Sequence, residues 1–210
     1  MAGGVVAPGA STGDEFDKAA NASDRRVARG IRTKTLIVNA LIDLIDMGNP
    51  HPTSRQVAAR AGVGIRTVFH HFGDLEILFR SAAGLHLWRH RSLMSPLSPQ
   101  GPVEARIGAL CHQRRQLFEV IGPVLSVAYA RSQGSPGLRD ILVQHRSRLR
   151  QQLAFTLGPE ISARGKQATL LDTLELTTGW QSWSALRFEA GHTASSAEEF
   201  MVSTVTRLMR

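Results

Sequence analysis

Several features that mark secreted, membrane-spanning and catalytic proteins are missing from the sequence. Cys111 is the single cysteine, so the chain has neither an internal disulfide nor a thiolate metal site, which fits a reducing cytoplasm. No uncharged apolar run approaches the roughly 18–20 residues that a transmembrane helix needs. The chain also lacks a nucleophile elbow, a phosphate-binding loop with lysine and a metal-binding triad, so we predict no catalytic residue, cofactor or metal.

The charge that the chain does carry is mostly positive. Its 25 lysines and arginines outnumber its 17 aspartates and glutamates, which gives a formal net charge of +8. This sign favours a polyanionic partner such as nucleic acid. The excess is spread along the whole chain, however, and solvated arginines explain it equally well. Net charge is therefore only supporting evidence for nucleic-acid binding, and the functional assignment depends on sequence motifs.

Apolar residues recur at helical spacing, and no segment alternates as a strand does, so we predict an all-α protein of about nine helices. Residues 1–23 are small and polar and are predicted to be a disordered tail. We expect a three-helix DNA-binding domain over residues 24–80. A larger helical domain for effector binding and dimerisation is expected over residues 81–210.

Proline and glycine set the predicted helix ends in the larger domain. A loop rich in both residues is expected over residues 94–102, and a second break is expected at Gly122-Pro123. The predicted helices of this domain cover residues 103–121, 123–132, 136–157, 161–190 and 195–209.

The most informative segment runs from Thr53 to Phe72 and reads TSRQVAARAGVGIRTVFHHF. Thr53 and Gln56 have the spacing of a capping box, which starts a helix. Gly62 stands where a short turn between two helices requires a positive φ. Two short helices joined by such a turn form a helix-turn-helix.

The second helix of this pair is predicted to have an inner and an outer face. Val68 and Phe72 are one turn apart and point inward together. The outer face then offers a guanidinium for guanine or phosphate, a hydroxyl, and two imidazoles that donate to phosphate. These side chains belong to Arg66, Thr67, His70 and His71.

At this point the sequence resembles the TetR family of bacterial transcriptional regulators. The resemblance covers about fifty residues from Ile31 and is carried by Ala61-Gly62-Val63, Thr67-Val68-Phe69, His71-Phe72, Glu76 and Leu78. It implies a fourth helix that links the helix-turn-helix to a divergent C-terminal domain. It also implies a homodimeric repressor that a small-molecule effector releases from a palindromic operator.

The resemblance also implies which residues contact DNA, although three positions depart from the family pattern. Phe69 replaces the usual tyrosine and so lacks a hydroxyl for phosphate, Gly64 replaces a capping serine, and Leu75 replaces a lysine. A basic arm of Arg25, Arg26, Arg29 and Arg32 is available to offset the lost contacts or to act only as a solubilising segment. The predicted contact residues are Thr53, Ile65, Arg66, Thr67, Phe69, His70 and His71.

The C-terminal domain yields candidates for two further sites. By analogy with the family, its last two helices form the dimer interface, for which the candidates are Leu174, Trp180, Trp183, Val205 and Leu208. An effector pocket among the preceding helices is predicted to include Phe118, Tyr129 and Phe155. Two other functions remain open, namely a protein that binds DNA without sequence specificity and an enzyme without a recognised motif.

Overall fold

The computed structural model describes residues 12–164 and 167–210, with side chains from residue 24 onward. Every regular element in these residues is helical, which confirms the predicted all-α class. None of the helices in the described ranges combines the length and the hydropathy that crossing a bilayer requires.

Four helices form the N-terminal part of the described chain. They are α1 (Thr12–Asp46), α2 (Ser54–Ala61), α3 (Ile65–Phe72) and α4 (Leu75–Arg89). Their apolar faces meet in one core, to which α1 contributes Ile37 and Leu41, α2 Val57, α3 Phe72 and α4 Leu78. All of these side chains are at least 95% buried. Burial of each such side chain contributes about 1.5–3 kcal/mol, so packing rather than intrinsic propensity holds these short helices in place.

The C-terminal part consists of longer helices around a central one. The central helix is α5 (Val103–Arg131), and α4 packs against both it and the following helix, so α4 joins the two parts. The remaining elements are α6 (Pro136–Thr156), α7 (Gly158–Ser162), α8 (Gln167–Thr178), α9 (Trp180–Ser184), a π-helical turn (Ala185–Glu189) and α10 (Ala194–Leu208).

Helix α1 begins earlier than the sequence predicted. Residues 1–11 of the predicted tail lie outside the described residues, but the helix already includes Thr12 and runs through the segment expected to be disordered. The sequence from 12 to 30 has no proline and contains alanine, lysine, arginine and glutamate, which favour helix. Low hydrophobicity alone does not make this segment disordered, because a helix that continues from a packed segment needs no apolar face of its own.

The helix boundaries of the C-terminal part differ from the prediction in two places. Helix α5 continues through Pro123, because an internal proline removes one hydrogen bond without ending a helix that is packed along its length. The helix predicted over 161–190 is instead divided among the end of α7, α8, α9 and the π-helical turn. The break between α8 and α9 falls at Gly179, whose backbone is extended with ψ of 171°. A Cβ atom at Gly179 would lie 2.8 Å from the carbonyl oxygen of Glu175, so the residue type suits this break.

Candidate functional site

The helix-turn-helix forms as the spacing of its residues predicts. At the start of α2, the backbone N–H of Thr53 donates to Gln56 Oε1 (2.8 Å), and the N–H of Gln56 donates to Thr53 Oγ1 (3.3 Å). Gly62 ends α2 in the left-handed region at φ 67°. Arg60 and Asp43 form an ion pair between α2 and α1 with an N–O distance of 2.9 Å. These contacts fix the position of α2, which in turn supports α3.

Helix α3 divides into two faces in the predicted way. Val68 and Phe72 are buried, with 2% and 5% of their surface exposed. Ile65 and Phe69 remain 43% and 45% exposed, although both are large and apolar. Exposure of large apolar side chains to water is energetically unfavourable, so this face of α3 is a candidate surface for contact with another molecule.

The polar residues predicted to contact DNA surround this apolar pair on α3. Arg66 and His70 are exposed, and Thr67 and His71 are half-buried. Thr53 is exposed at the start of α2. The structure therefore places all seven predicted contact residues on or beside the outer side of the helix-turn-helix.

The electrostatics of this surface suit a polyanion. Helix α3 contains no acidic residue, and Arg66 on it is free of any ion pair in the described part of the chain. Partial burial, together with the neighbouring His70 and Lys34, lowers the pKa of His71, which favours the neutral imidazole. A neutral imidazole still donates one hydrogen bond, which is enough to meet a phosphate oxygen. The uncapped α3 N-terminus at Gly64 agrees with the departure seen in the sequence.

The four arginines of the basic arm lie within α1 rather than before it. Arg25, Arg26, Arg29 and Arg32 are all exposed. Arg25, Arg29 and Arg32 together line a shallow cleft on one side of the helix. A helix that presents three guanidinium groups along one side can track a phosphate backbone.

Four of the five residues predicted at the dimer interface lie in the core of the single subunit. Leu174 and Val205 are fully covered, and Trp183 and Trp180 are only 1% and 5% exposed. A side chain that its own subunit already covers has almost no surface to bury against a partner. The prediction is therefore corrected for these four residues, which are core residues, whereas Leu208 is half-buried.

The same C-terminal elements do present large apolar side chains to solvent. The exposed fraction is 62% for Leu176 on α8, 69% for Phe188 in the π-helical turn and 46% for Phe200 on α10. These residues, rather than the tryptophans, are the surface-exposed candidates for contact with another protein.

The three residues predicted to line an effector pocket have different environments. Phe118 is buried, and its ring lies 5.7 Å from that of Trp180 and 6.0 Å from that of Trp183. Tyr129 is half-buried beside an internal cavity. Phe155 is 52% exposed and lines neither the groove nor the small cavity described below, so the pocket prediction is corrected for this residue. Spacing identifies apolar residues but does not say which of them face solvent.

Phe118 lines a large groove in the C-terminal part. This groove has a volume of about 720 Å³ and is open to solvent. Its walls come from both parts of the protein, because α1 and the loop after it contribute as well as α5 and the α9 region. The lining includes Ile45, Pro50, Phe118, Pro123, Trp183 and Phe188. A small molecule bound here would contact both parts at once.

A second, much smaller cavity is partly enclosed and has a volume of about 20 Å³, enough for one water molecule. It is lined by Arg114 on α5, Tyr129 on α5 and His145 on α6. Burial lowers the pKa of Arg114 to about 9, so its guanidinium is still charged at pH 7. The spacing of residues along α5 does not predict the burial of Arg114, because an arginine on a long helix is usually exposed.

His145 makes stability depend on pH in a predictable direction. Burial and the charges of Arg114 and Arg148 lower its pKa to about 4, so the folded protein holds it neutral. The unfolded chain protonates this imidazole near pH 6.5, and stability is therefore lost as pH falls from 6.5 towards 4. We expect a loss of about 2 kcal/mol between pH 7 and pH 5 from this group.

Urea unfolding of the wild type and of His145→Leu at both pH values measures this contribution. The variant should lose less stability than the wild type over the interval. Equal losses in the two proteins would show that His145 titrates normally in the folded state.

No family model and no curated protein sequence matches the chain. Solved structures do match it. A transcriptional regulator from Rhodococcus sp. Rha1 is 22% identical with a TM-score of 0.68, over 84% of this chain and 95% of that one. A TetR-family regulator from Streptomyces coelicolor is 17% identical with a TM-score of 0.68, over 83% and 81%.

The third similar structure belongs to a protein that is named for the compounds it binds. The multidrug binding protein EbrR, solved with imidazole, is 19% identical with a TM-score of 0.54, over 84% of this chain and 89% of that one. At these identities the matches establish the fold. The chain has the fold of TetR-family transcriptional regulators.

Proposed function

We propose that this protein is a sequence-specific DNA-binding transcriptional regulator that acts in the cytoplasm as a repressor. The observation that carries the proposal is the outer face of α3, where Arg66, His70 and Phe69 are exposed on a helix whose opposite side is buried. A helix presented in this way fits the major groove of DNA, and side chains on it meet base edges. The fold shared with TetR-family regulators supports the same function.

Each exposed group on this surface has a suitable counterpart on DNA. The Arg66 guanidinium matches the two acceptors of guanine, and Thr67 offers a hydroxyl to phosphate. Phe69 and Ile65 can meet thymine methyl groups, which compensates for the missing tyrosine hydroxyl at position 69. Thr53, at the start of α2, is placed to meet phosphate through its hydroxyl.

We further propose that the regulator binds DNA as a homodimer. Two recognition helices about 34–36 Å apart read successive major grooves on one side of the duplex, and a two-fold symmetric pair fits a palindromic operator. Leu176, Phe188 and Phe200 supply exposed apolar surface on the last elements of the chain. Burying them between two copies would remove this surface from water.

Replacing Phe200 by glutamate is expected to separate the dimer without unfolding the subunit, because this side chain is 46% exposed in the single chain. Operator affinity should fall by about 100-fold or more, since two linked half-sites bind far more tightly than one. Analytical ultracentrifugation and DNA titration measure the two effects. The matched control is Phe155→Glu, at an exposed phenylalanine outside the last helices, and it should remain dimeric. If the Phe200→Glu protein were still dimeric, Phe200 would not belong to the dimer interface.

We also propose that a small-molecule effector controls DNA binding. The groove of about 720 Å³ reaches from Trp183 and Phe118 to Ile45 and Pro50, and α4 packs between α1 and α5. A ligand in the C-terminal part therefore has a direct mechanical connection to the helix-turn-helix. The effector can change the free energy of DNA binding by no more than the difference between its own binding free energies for the DNA-binding and the released conformations.

A second candidate function is DNA binding without sequence specificity, favoured by the exposed arginines of α1. Selection of bound duplexes from random DNA by the purified protein distinguishes the two. A specific regulator should enrich an inverted repeat whose half-sites are separated by about one helical turn or a multiple of it. Retention of all sequences alike would refute the proposed function and favour the second one.

A further inference from the structure

Arg114 is a buried charge that has no partner of opposite charge among the described residues. Its side chain is only 1% exposed. The Nη2 atom donates to the backbone carbonyl of Leu149 at 2.9 Å, but Nε and Nη1 have no hydrogen-bond partner in the described part of the chain. Buried guanidinium groups are normally paired with a carboxylate or fully hydrogen-bonded, since desolvation of an unpaired charge is costly.

Two further polar side chains at the same cavity are unsatisfied. In the described part of the chain, neither ring nitrogen of His145 has a hydrogen-bond partner, although this residue is only 2% exposed. The buried hydroxyl of Tyr129 makes no hydrogen bond of good geometry with any described residue, although the side chain of Gln181 lies close enough to lower its pKa. Burial has the larger effect and raises the pKa of Tyr129, so the hydroxyl remains a donor. Such orphaned groups are rare in folded proteins, and three of them around one cavity indicate a missing ligand atom that accepts hydrogen bonds.

The one carboxylate that lines this cavity is already committed elsewhere. Glu175 Oε1 accepts from Arg146 at 2.7 Å, and Glu175 Oε2 accepts from Arg150 at 2.7 Å. These bonds lower the pKa of Glu175 and hold it ionised against burial. Arg146 and Arg150 therefore neutralise the charge of Glu175, and this carboxylate does not pair with Arg114.

We propose that Arg114 binds the carboxylate of an acidic small molecule, with His145 and Tyr129 as additional hydrogen-bond donors. This inference rests on the proposed function, because it assigns to an effector a chemical class and a site of its own, separate from the open groove. Guanidinium pairs with carboxylate through two parallel hydrogen bonds from one of its edges. Nε and Nη1 of Arg114 lie on different edges, so a carboxylate would take one of them together with the second N–H of Nη2, whose first N–H is used by Leu149. A neutral His145 on α6 lines the same cavity and supplies one N–H.

Binding must move part of the protein, because the cavity now has room for one water molecule only. Its wall includes Gly179 and Trp180, where α8 is interrupted. The ring of Trp180 packs against Phe118, and Phe118 lines the large groove that extends to Ile45 of the DNA-binding part. A carboxylate that displaces Trp180 would therefore shift side chains at the boundary between the two parts.

The test uses acetate as the smallest organic carboxylate, with acetamide as the neutral isostere and chloride as the inorganic anion at equal ionic strength. At about 100 mM, acetate should raise the Tm of the full-length wild type by about 3–6 °C relative to both controls. Arg114→Met should have a higher Tm than the wild type without ligand and should not respond to acetate. The matched control is Arg115→Met, which removes the neighbouring half-buried arginine that pairs with Glu198 and should retain the response.

The possible outcomes separate this inference from the proposed function. Specific DNA binding by a protein whose Tm does not respond to acetate would overturn the cavity assignment alone. Equal stabilisation by chloride and acetate would also overturn it, because the site would then lack selectivity for a carboxylate. An acetate response that leaves affinity for the selected DNA unchanged would refute the effector role. The inference holds if acetate stabilises the wild type through Arg114 and alters its affinity for the selected DNA.

Discussion

Truncating Phe72 to alanine is expected to lower the free energy of unfolding by about 3–5 kcal/mol, because the ring is 5% exposed and its removal leaves a cavity in the N-terminal core. The same truncation at Phe69 should change stability by at most about 0.5 kcal/mol, because that ring is 45% exposed. Both residues are phenylalanines on the same eight-residue helix, so intrinsic helix propensity is matched between them. Urea denaturation followed by circular dichroism measures both values.

DNA binding should respond to this pair in a different way. Phe69→Ala keeps the fold but removes an apolar contact, so we expect weaker operator binding by a folded protein. Phe72→Ala weakens DNA binding only as far as the N-terminal domain unfolds, and lower temperature should restore part of it. Similar losses of stability at the two positions would mean that the two faces of α3 are assigned incorrectly.

Replacing Arg66 by alanine is expected to reduce affinity for the selected operator by about 10–100-fold, the value of one bidentate contact to guanine. Arg66 is exposed on α3, so the subunit should remain folded and dimeric. Affinity for random DNA should fall much less, because Arg66 contributes little binding free energy where the base it meets is not guanine. Fluorescence anisotropy with labelled duplexes measures both affinities under the same salt conditions.

The matched control for this substitution is Arg148→Ala, which removes an equally exposed arginine from α6 in the other part of the protein. It should bind the operator as the wild type does. An equal loss on operator and random DNA by Arg66→Ala would assign this guanidinium to phosphate. No loss on either DNA would exclude Arg66 from the interface.

The helix-turn-helix was predictable because its signals are local. The Thr53–Gln56 capping box, the positive φ of Gly62 and the spacing of Val68 and Phe72 each act within one or two helical turns. The buried and exposed sides of α3 follow from these signals together. The structure confirms that arrangement.

Features of the C-terminal part depend on contacts between distant segments, and the sequence predicted them less well. Spacing marked Trp180 and Trp183 as apolar, but the covering of their rings by Phe118 comes from another helix. Pro123 was expected to end a helix, and only packing along α5 explains why it does not. Arg114 appears in sequence as an ordinary surface arginine, although α6 buries it completely. Burial of this kind is a property of the fold, not of the local sequence.

In the proposed function, the outer face of α3 reads a DNA sequence. The most direct test is the ratio of wild-type affinities for the selected duplex and for a scrambled duplex of equal composition, measured as salt rises from about 50 to about 200 mM. Both affinities should fall with salt, while the selected duplex remains about 1,000-fold or more favoured. A ratio near one throughout this range would contradict the account.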